Sequence, residues 1–210
     1  MKVLVTGGAG YIGSHTILAL LEMGFNQIVS VDNYLNSSEE TYQRIQQISG
    51  HHVEYYNLDL ANAESTANFF EKHQFDGIIH FAALKSVPES VENPNLYYSN
   101  NLNALLNLLE AIKKTPETKF IFSSSCSVYG NPEVLPVTEA TPYGSVESPY
   151  ANTKKMGEEI HDFMKEVIEK NSNETEFLQA VEEVAEAVIP FLKDNPKYNN
   201  KMLLERMVEP

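Results

Sequence analysis

Tyr150 and Lys154 stand four residues apart in Ser148-Pro-Tyr-Ala-Asn-Thr-Lys154, downstream of a serine run, Ser123, Ser124 and Ser125. At that spacing two side chains share one face of a helix, so the ammonium can approach the phenol through a shared hydrogen-bonded group. A phenol titrates near ~10, and each unit by which a nearby cation lowers that value takes about 1.4 kcal/mol of differential stabilisation. A tyrosine so perturbed works as a base near neutral pH. Tyrosine and lysine also fall four apart on helices where they form only a solvated face, and the surroundings decide between the two readings. Ser148 is a good N-cap and Pro149 suits the first helical position, which places Tyr150 in a first turn with its hydroxyl able to project into a cleft. The serines close an apolar run, Phe120-Ile-Phe122, that reads as a buried strand. Open α/β sheets bind ligands outside the C-terminal ends of such strands.

The elements that must position these side chains alternate along the chain. Val3 to Thr6 is a β-branched run that stops at Gly7-Gly-Ala-Gly10-Tyr-Ile-Gly13. Ser14 to Met23 then carries helical apolar spacing and Gly24 ends it. Gln27 to Val31 is the next strand, running into Asp32, and a polar helix follows from about Ser38 to Ile48. Val53 to Asn57 is a third strand, ending near Asp59, and Ala63 to His73 a third helix. Gly77 to Phe81 gives a fourth strand, and Pro94 to Lys114 a long helix leading to the serine-tipped fifth strand. This alternation predicts a parallel, doubly wound α/β sheet with crossover helices. A glycine-rich turn between the first strand and first helix lets backbone N–H groups and the helix dipole meet a pyrophosphate. Asp32, at a strand end about 20 residues past the turn, suits the ribose of a dinucleotide. Its carboxylate accepts from both ribose hydroxyls of NAD and repels the extra phosphate of NADP, which favours NAD; it is equally suited to forming the turn before Asn33.

Composition narrows the partners. Lysine and arginine number 15 against 29 acidic residues, a formal charge of −14, which disfavours nucleic acid or an anionic membrane as the main partner. The hydrophobic fraction of 42% supports an ordinary globular core. The single cysteine, Cys126, excludes an internal disulfide, suits a reducing compartment and reads as a packed small residue rather than a nucleophile. No apolar stretch approaches the ~20 residues of a membrane span and no signal-peptide core precedes the glycines, so a cytoplasmic location is expected. The six histidines show no metal-ligand spacing, and no metal site is expected.

Together the motifs resemble the extended short-chain dehydrogenase/reductase family and, within it, the UDP-glucose 4-epimerases. The resemblance covers residues 1 to about 162. It rests on Thr6-Gly-Gly-Ala-Gly-Tyr-Ile-Gly-Ser-His15, Asp32-Asn-Tyr-Leu-Asn-Ser37, His80-Phe-Ala-Ala-Leu-Lys85, Glu89-Ser-Val91, Tyr97-Tyr-Ser-Asn-Asn101, Phe122-Ser-Ser-Ser-Cys-Ser-Val-Tyr-Gly130 and Ser148-Pro-Tyr-Ala-Asn-Thr-Lys154. It implies a Rossmann-type domain in which Tyr150 takes the proton from a sugar 4-hydroxyl while hydride passes from C4 to NAD. The 4-keto sugar turns over and is reduced on its other face. The resemblance further implies that Lys154 lowers the Tyr150 pKa and holds the nicotinamide ribose, and that Ser125 hydrogen-bonds the reacting oxygen with Ser124 beside it. Gly7, Gly10, Tyr11, Ile12, Gly13, Asp32, Asn33, Tyr34, Leu35, Asn36, Ser37, Asp59, Leu60, Phe81, Ala82, Ala83, Leu84, Lys85 and Asn100 would line the cofactor. A dehydratase of the same superfamily needs a carboxylate pair just after the serine; Cys126 and Ser127 stand there instead.

From about Phe163 the resemblance is lost. Glu174-Thr-Glu-Phe-Leu-Gln-Ala-Val-Glu-Glu-Val184, Ile189-Pro-Phe-Leu192 and Leu203-Leu-Glu-Arg-Met-Val-Glu-Pro210 resemble the N-terminal helical segment of hexameric glutamate dehydrogenases. Phe177, Val181, Val184, Val188 and Phe191 form the apolar stripe of an amphipathic helix. The expected organisation is therefore an epimerase-type NAD-binding domain over 1–162, C-terminally truncated, with a helical tail over 163–210 joined within one continuous helix. Two functions follow as expectations. One is an epimerase-like half that binds NAD but lacks most of the pocket for its UDP-sugar partner, with impaired turnover. The other is a non-catalytic, NAD-binding chimera that self-associates as a homodimer or higher homo-oligomer. Glutamate dehydrogenase activity is excluded, because no substrate lysine or second dinucleotide fold follows the tail.

Overall fold

The computed structural model describes residues 1–138 and 140–170, with side chains to Phe163; the tail beyond, with its predicted helix and its seam to a second family, lies outside the described residues. Strands β1 (Lys2–Thr6), β2 (Gln27–Asp32), β3 (Glu54–Asn57), β4 (Gly77–His80) and β5 (Lys119–Phe122) alternate with α1 (Tyr11–Glu22), α2 (Glu40–Ser49), α3 (Ala63–Phe70), α4 (Val87–Glu92), α5 (Pro94–Ile112) and α6 (Pro149–Lys170). All four pairings are parallel, in the order β3-β2-β1-β4-β5. The chain moves outward from β1 to β3, then returns to lay β4 against the other side of β1. That reversal leaves a crevice outside the carboxyl ends of β1 and β4, the position where such sheets hold ligands.

Successive strand side chains point to opposite faces, and the core follows this period of two. On one face Val3, Val5 and Ile28 pack with Ile17 and Leu21 of α1 and Tyr42 and Ile45 of α2. On the other, Leu4, Val29, Val31 and Ile78 meet Phe69 of α3 and Ala104 and Leu108 of α5. Both faces are covered at the centre, which is why β1 reads Val-Leu-Val with no polar alternation. A third cluster joins Leu105 and Leu109 to Ile160 of α6, with Phe120 and Phe122 of β5 against it. Among the described residues β5 is an edge strand, and Ile121 on it is 58% exposed.

The strands and helices predicted before residue 171 are present, with shifted ends. α1 begins at Tyr11 rather than Ser14, because Ser14 N already donates to Gly10 O at 2.9 Å and the helix opens inside the glycine run. α3 stops at Phe70, before His73. α4 was not expected; Ser86 caps it, accepting from Glu89 N at 3.4 Å, and Pro88 sits in its first turn. A short 3-10 helix, Cys126–Tyr129, follows the serine run, and Cys126 on it is exposed, correcting the expectation that it is a packed small residue. Among the described residues no helix is long and apolar enough to cross a membrane, and no cluster of metal-ligating side chains occurs.

Candidate active site

The glycine turn is shaped by close approach. Gly7 has φ +68°, and a Cβ on it would lie 2.8 Å from Ala82 N. A Cβ on Gly13 would come within 2.3 Å of Gly7 O, so α1 can start against the turn only because both positions lack side chains. Gly10 caps α1 with no side-chain bond. The first N–H groups of a helix have no intrahelical acceptor, which makes this end a seat for phosphate oxygens. Asp32 fixes the neighbouring loop: its carboxylate accepts from Ala9 N at 3.0 Å, Tyr34 N at 2.9 Å and Ser37 Oγ at 2.8 Å. The turn-forming role expected of Asp32 is thus present, and the same carboxylate ties the glycine turn to the segment after β2.

The facing wall is the segment after β4. Thr6 Oγ1 accepts from Ala82 N at 3.2 Å and lies 2.7 Å from His80 Nδ1. The hydroxyl can bond Nδ1 as donor or as acceptor, according to the tautomer of the ring. His80 is 1% exposed, and burial with the Lys154 charge nearby pushes it down to about 3, so the imidazole is neutral. Leu84 is anchored through both backbone groups to Asn101 of α5, accepting from Nδ2 at 3.0 Å and donating to Oδ1 at 2.8 Å.

The third wall comes from β5 and α6. Ser148 caps α6 as predicted, accepting from Ala151 N at 3.2 Å. Lys154 is only 4% exposed; its Nζ donates to Ser123 O at 2.7 Å and lies 4.8 Å from the centroid of the Phe122 ring. Burial pulls its ammonium down to about 8 against the opposing charge of Glu158. α6 approaches β5 this closely because Gly157 leaves room: a Cβ there would meet Phe122 Cζ at 2.6 Å. Among the described residues Ser124 Oγ is buried without a partner. Ser125 Oγ is engaged, 2.9 Å from Ser127 Oγ and accepting from Ser127 N at 3.3 Å as cap of the 3-10 helix.

These walls enclose an open cleft of about 310 Å³. It brings together Tyr150, Lys154 and Ser124 with Gly7, Gly10, Tyr11, Ile12, Gly13, Asp32, Asn33, Leu35, Asn36, Ser37, Asp59, Leu60, Phe81, Ala82, Ala83, Leu84, Lys85 and Asn100. Two predicted residues are not on its lining. Tyr34 packs against the core under α1 and α2. Among the described residues its hydroxyl is buried without a partner, and burial together with the charges of Glu39 and Asp32 pushes the phenol up to about 12. Ser125 turns to Ser127 instead. Val31, Leu58, Ala104 and Ser123 also line the cleft and were missed. Val31 and Leu58 flank the predicted Asp32 and Asp59, so the adjacency was a signal; Ala104 lies one turn past Asn100 and could have been found from helical spacing.

A glycine cradle that any Cβ would fill, a carboxylate beside it and an unpartnered buried hydroxyl fit an extended dinucleotide. Comparison with known proteins agrees with the geometry. The chain is 47% identical over 160 residues to the UDP-glucose 4-epimerase of Yersinia enterocolitica, with 76% of this chain and 47% of that protein covered. It is 46% identical over 164 residues to the epimerase of Drosophila melanogaster, covering 75% and 47%. The crystal structure of the Bifidobacterium longum UDP-glucose 4-epimerase in complex with NAD+ and UDP superposes with a TM-score of 0.73 at 46% identity, covering 76% of this chain and 48% of that one. The chain spans about half the length of the curated relatives it matches. A family model described as GDP-mannose 4,6 dehydratase matches residues 4–173, and the chain belongs to that family.

Proposed function

We propose that the chain is the cofactor-binding and proton-transferring half of a UDP-glucose 4-epimerase, with NAD as its cofactor. The observation that carries this reading is the convergence of Tyr150, Lys154 and Ser124 on the cleft that the glycine turn and Asp32 also line. The relatives crystallised with NAD support the choice of cofactor. Bound NAD supplies the acceptor and later the donor of hydride at C4 of the sugar. The chain's own residues do the rest. The N-terminus of α1 receives the pyrophosphate, and Asp32 accepts from the adenosine ribose. Lys154, fixed by the Ser123 carbonyl, holds the nicotinamide ribose, while the unpartnered Ser124 hydroxyl is free to turn to a ligand. Tyr150 takes the proton of the 4-hydroxyl as hydride leaves and returns it when the ketone is reduced on its other face. Ser125 reaches the reacting oxygen in this scheme by exchanging its bond to Ser127.

Elimination of the dehydratase type lacks support here, because Cys126 and Ser127 offer no carboxyl acid or base after Ser125. The matched relatives are about twice as long, so the grip on the nucleotide sugar falls to residues beyond the matched half. The expected result for the purified chain is micromolar NAD binding with weak or no conversion of UDP-galactose to UDP-glucose. Separate calorimetric titrations with NAD, NADP and a UDP-sugar test it, beside a coupled epimerase assay. Failure to bind NAD, or a preference for NADP, would sink the reading; turnover equal to that of a complete epimerase would show that the given residues suffice for the reaction.

A further inference from the structure

Thr153 precedes Lys154 but does not share its cleft: it is 1% exposed and absent from the lining. Its hydroxyl donates to the main-chain carbonyl of Tyr150 at 2.7 Å and accepts from Asn101 Nδ2 at 3.0 Å. The same Asn101 amide holds both backbone groups of Leu84, and its Oδ1 also accepts from Asn100 Nδ2 at 3.0 Å. Two donors and two lone pairs are thereby all used. Reversing the amide would set its NH₂ against the Leu84 N–H, so the orientation is fixed. One buried side chain thus touches the cofactor-facing segment, the cleft residue Asn100 and, through Thr153, the first turn of the helix that carries the phenol.

We propose that Thr153 is a positioning residue that couples the seating of the cofactor against Leu84 to the placement of Tyr150. The proposal rests on the cofactor reading above. When the cleft fills, Leu84 is held by its ligand and by Asn101 together. Thr153 passes that constraint to the Tyr150 carbonyl, so the phenol is set on its helix before a sugar arrives. Valine at 153 keeps the shape and removes the hydroxyl, leaving one buried Asn101 N–H and the Tyr150 link unmade; serine keeps both bonds.

Amide hydrogen exchange on the cofactor-free chain reads the linkage directly. The Leu84 amide should exchange more slowly than its neighbours Ala83 and Lys85, should be released about tenfold in Thr153→Val, and should recover in Thr153→Ser. NAD titration should show affinity about tenfold weaker in Thr153→Val and within about twofold of wild type in Thr153→Ser. A wild-type Leu84 amide as labile as its neighbours overturns the proposal, and needs no variant to fold. So does a Thr153→Val chain that melts earlier yet binds NAD with unchanged affinity, since that is a purely structural threonine. If wild-type chain binds no NAD, the cofactor reading fails and the coupling with it, whereas NAD binding with an unprotected Leu84 amide defeats the coupling alone.

Discussion

Replacing Lys154 with methionine is predicted to stabilise the cofactor-free protein. The ammonium is 4% exposed, and burial lowers it from 10.5 to about 8, a difference that corresponds to about 3 kcal/mol of penalty on the charged form at neutral pH. Methionine has a similar length and no charge. Against this, the substitution removes the bond to the Ser123 carbonyl and the contact with the Phe122 ring, together worth about 1 kcal/mol once desolvation is counted. The net expectation is a gain of about 2 kcal/mol in urea unfolding at pH 7. The sign of the pH dependence follows from linkage. Between about pH 8 and 10.5 the unfolded chain still holds a proton that the native lysine has shed, so wild-type stability rises with pH across that window. Below about 8 both states are charged and the penalty is constant. Lys154→Met should lack this rise, so its advantage should shrink as pH climbs from 8 to 10. Tyr34, raised to about 12, keeps a proton that the unfolded chain loses above about 10 and adds an opposite slope there, but both chains carry it and it cancels in their difference. A variant less stable than wild type at pH 7, or an advantage constant from pH 7 to 10, would refute the argument. The expected outcome is a lysine held in place for its ligand, at a cost to the empty fold.

Two further outcomes are expected. His80 stays neutral in the fold down to about 3 while the unfolded chain protonates near 6.5, so stability falls as pH drops through that interval, by up to about 5 kcal/mol; His80→Asn, whose Oδ1 can still accept from Thr6, should move the acid-unfolding midpoint to lower pH, and an unmoved midpoint contradicts the assignment. Ser124→Ala removes a buried hydroxyl that has no partner, so the free chain should be unchanged or more stable by about 1 kcal/mol while NAD binds less tightly; loss of stability with unaltered NAD affinity would mean that the hydroxyl serves the fold and no ligand.

The sheet and most of the cleft were legible in the sequence because each rests on a local rule. Val3-Leu-Val5 before a glycine run can only be a strand feeding a tight turn, and the short spacings between elements leave a parallel sheet as the economical solution. Most of the cleft residues follow the C-terminal ends of the five strands, and α5 and α6 add Asn100, Ala104, Tyr150 and Lys154. What escaped depends on where a side chain turns. Tyr34 and Ser125 sit in motifs whose neighbours face the cleft, yet neither lines it. Tyr34 takes φ +58°, an uncommon backbone for a residue with a Cβ, and packs against the core. Ser125 lies at the junction of strand and 3-10 helix, and the capping demand of Ser127 N claims its hydroxyl. α4 has too few residues for a periodic signal, and only its Ser86 cap and Pro88 mark it.

Asp32 shows how far the cleft is prepared before any ligand enters. An ionised carboxylate offers about four lone-pair positions. Three are already taken by Ala9 N, Tyr34 N and Ser37 Oγ. Those bonds hold the glycine turn and the segment after β2 in register before any ligand enters. They also leave room for about one more hydrogen. On the proposed cofactor reading, a ribose that presents two hydroxyls competes with one of these internal donors. Ser37 is the one that can yield, because its bond comes from a rotatable hydroxyl, whereas Ala9 and Tyr34 donate from main chain fixed by the turn. On that reading the Ser37 side chain is the part of the cradle expected to move, and the rigidity of the remainder follows from a carboxylate already bonded to two main-chain N–H groups.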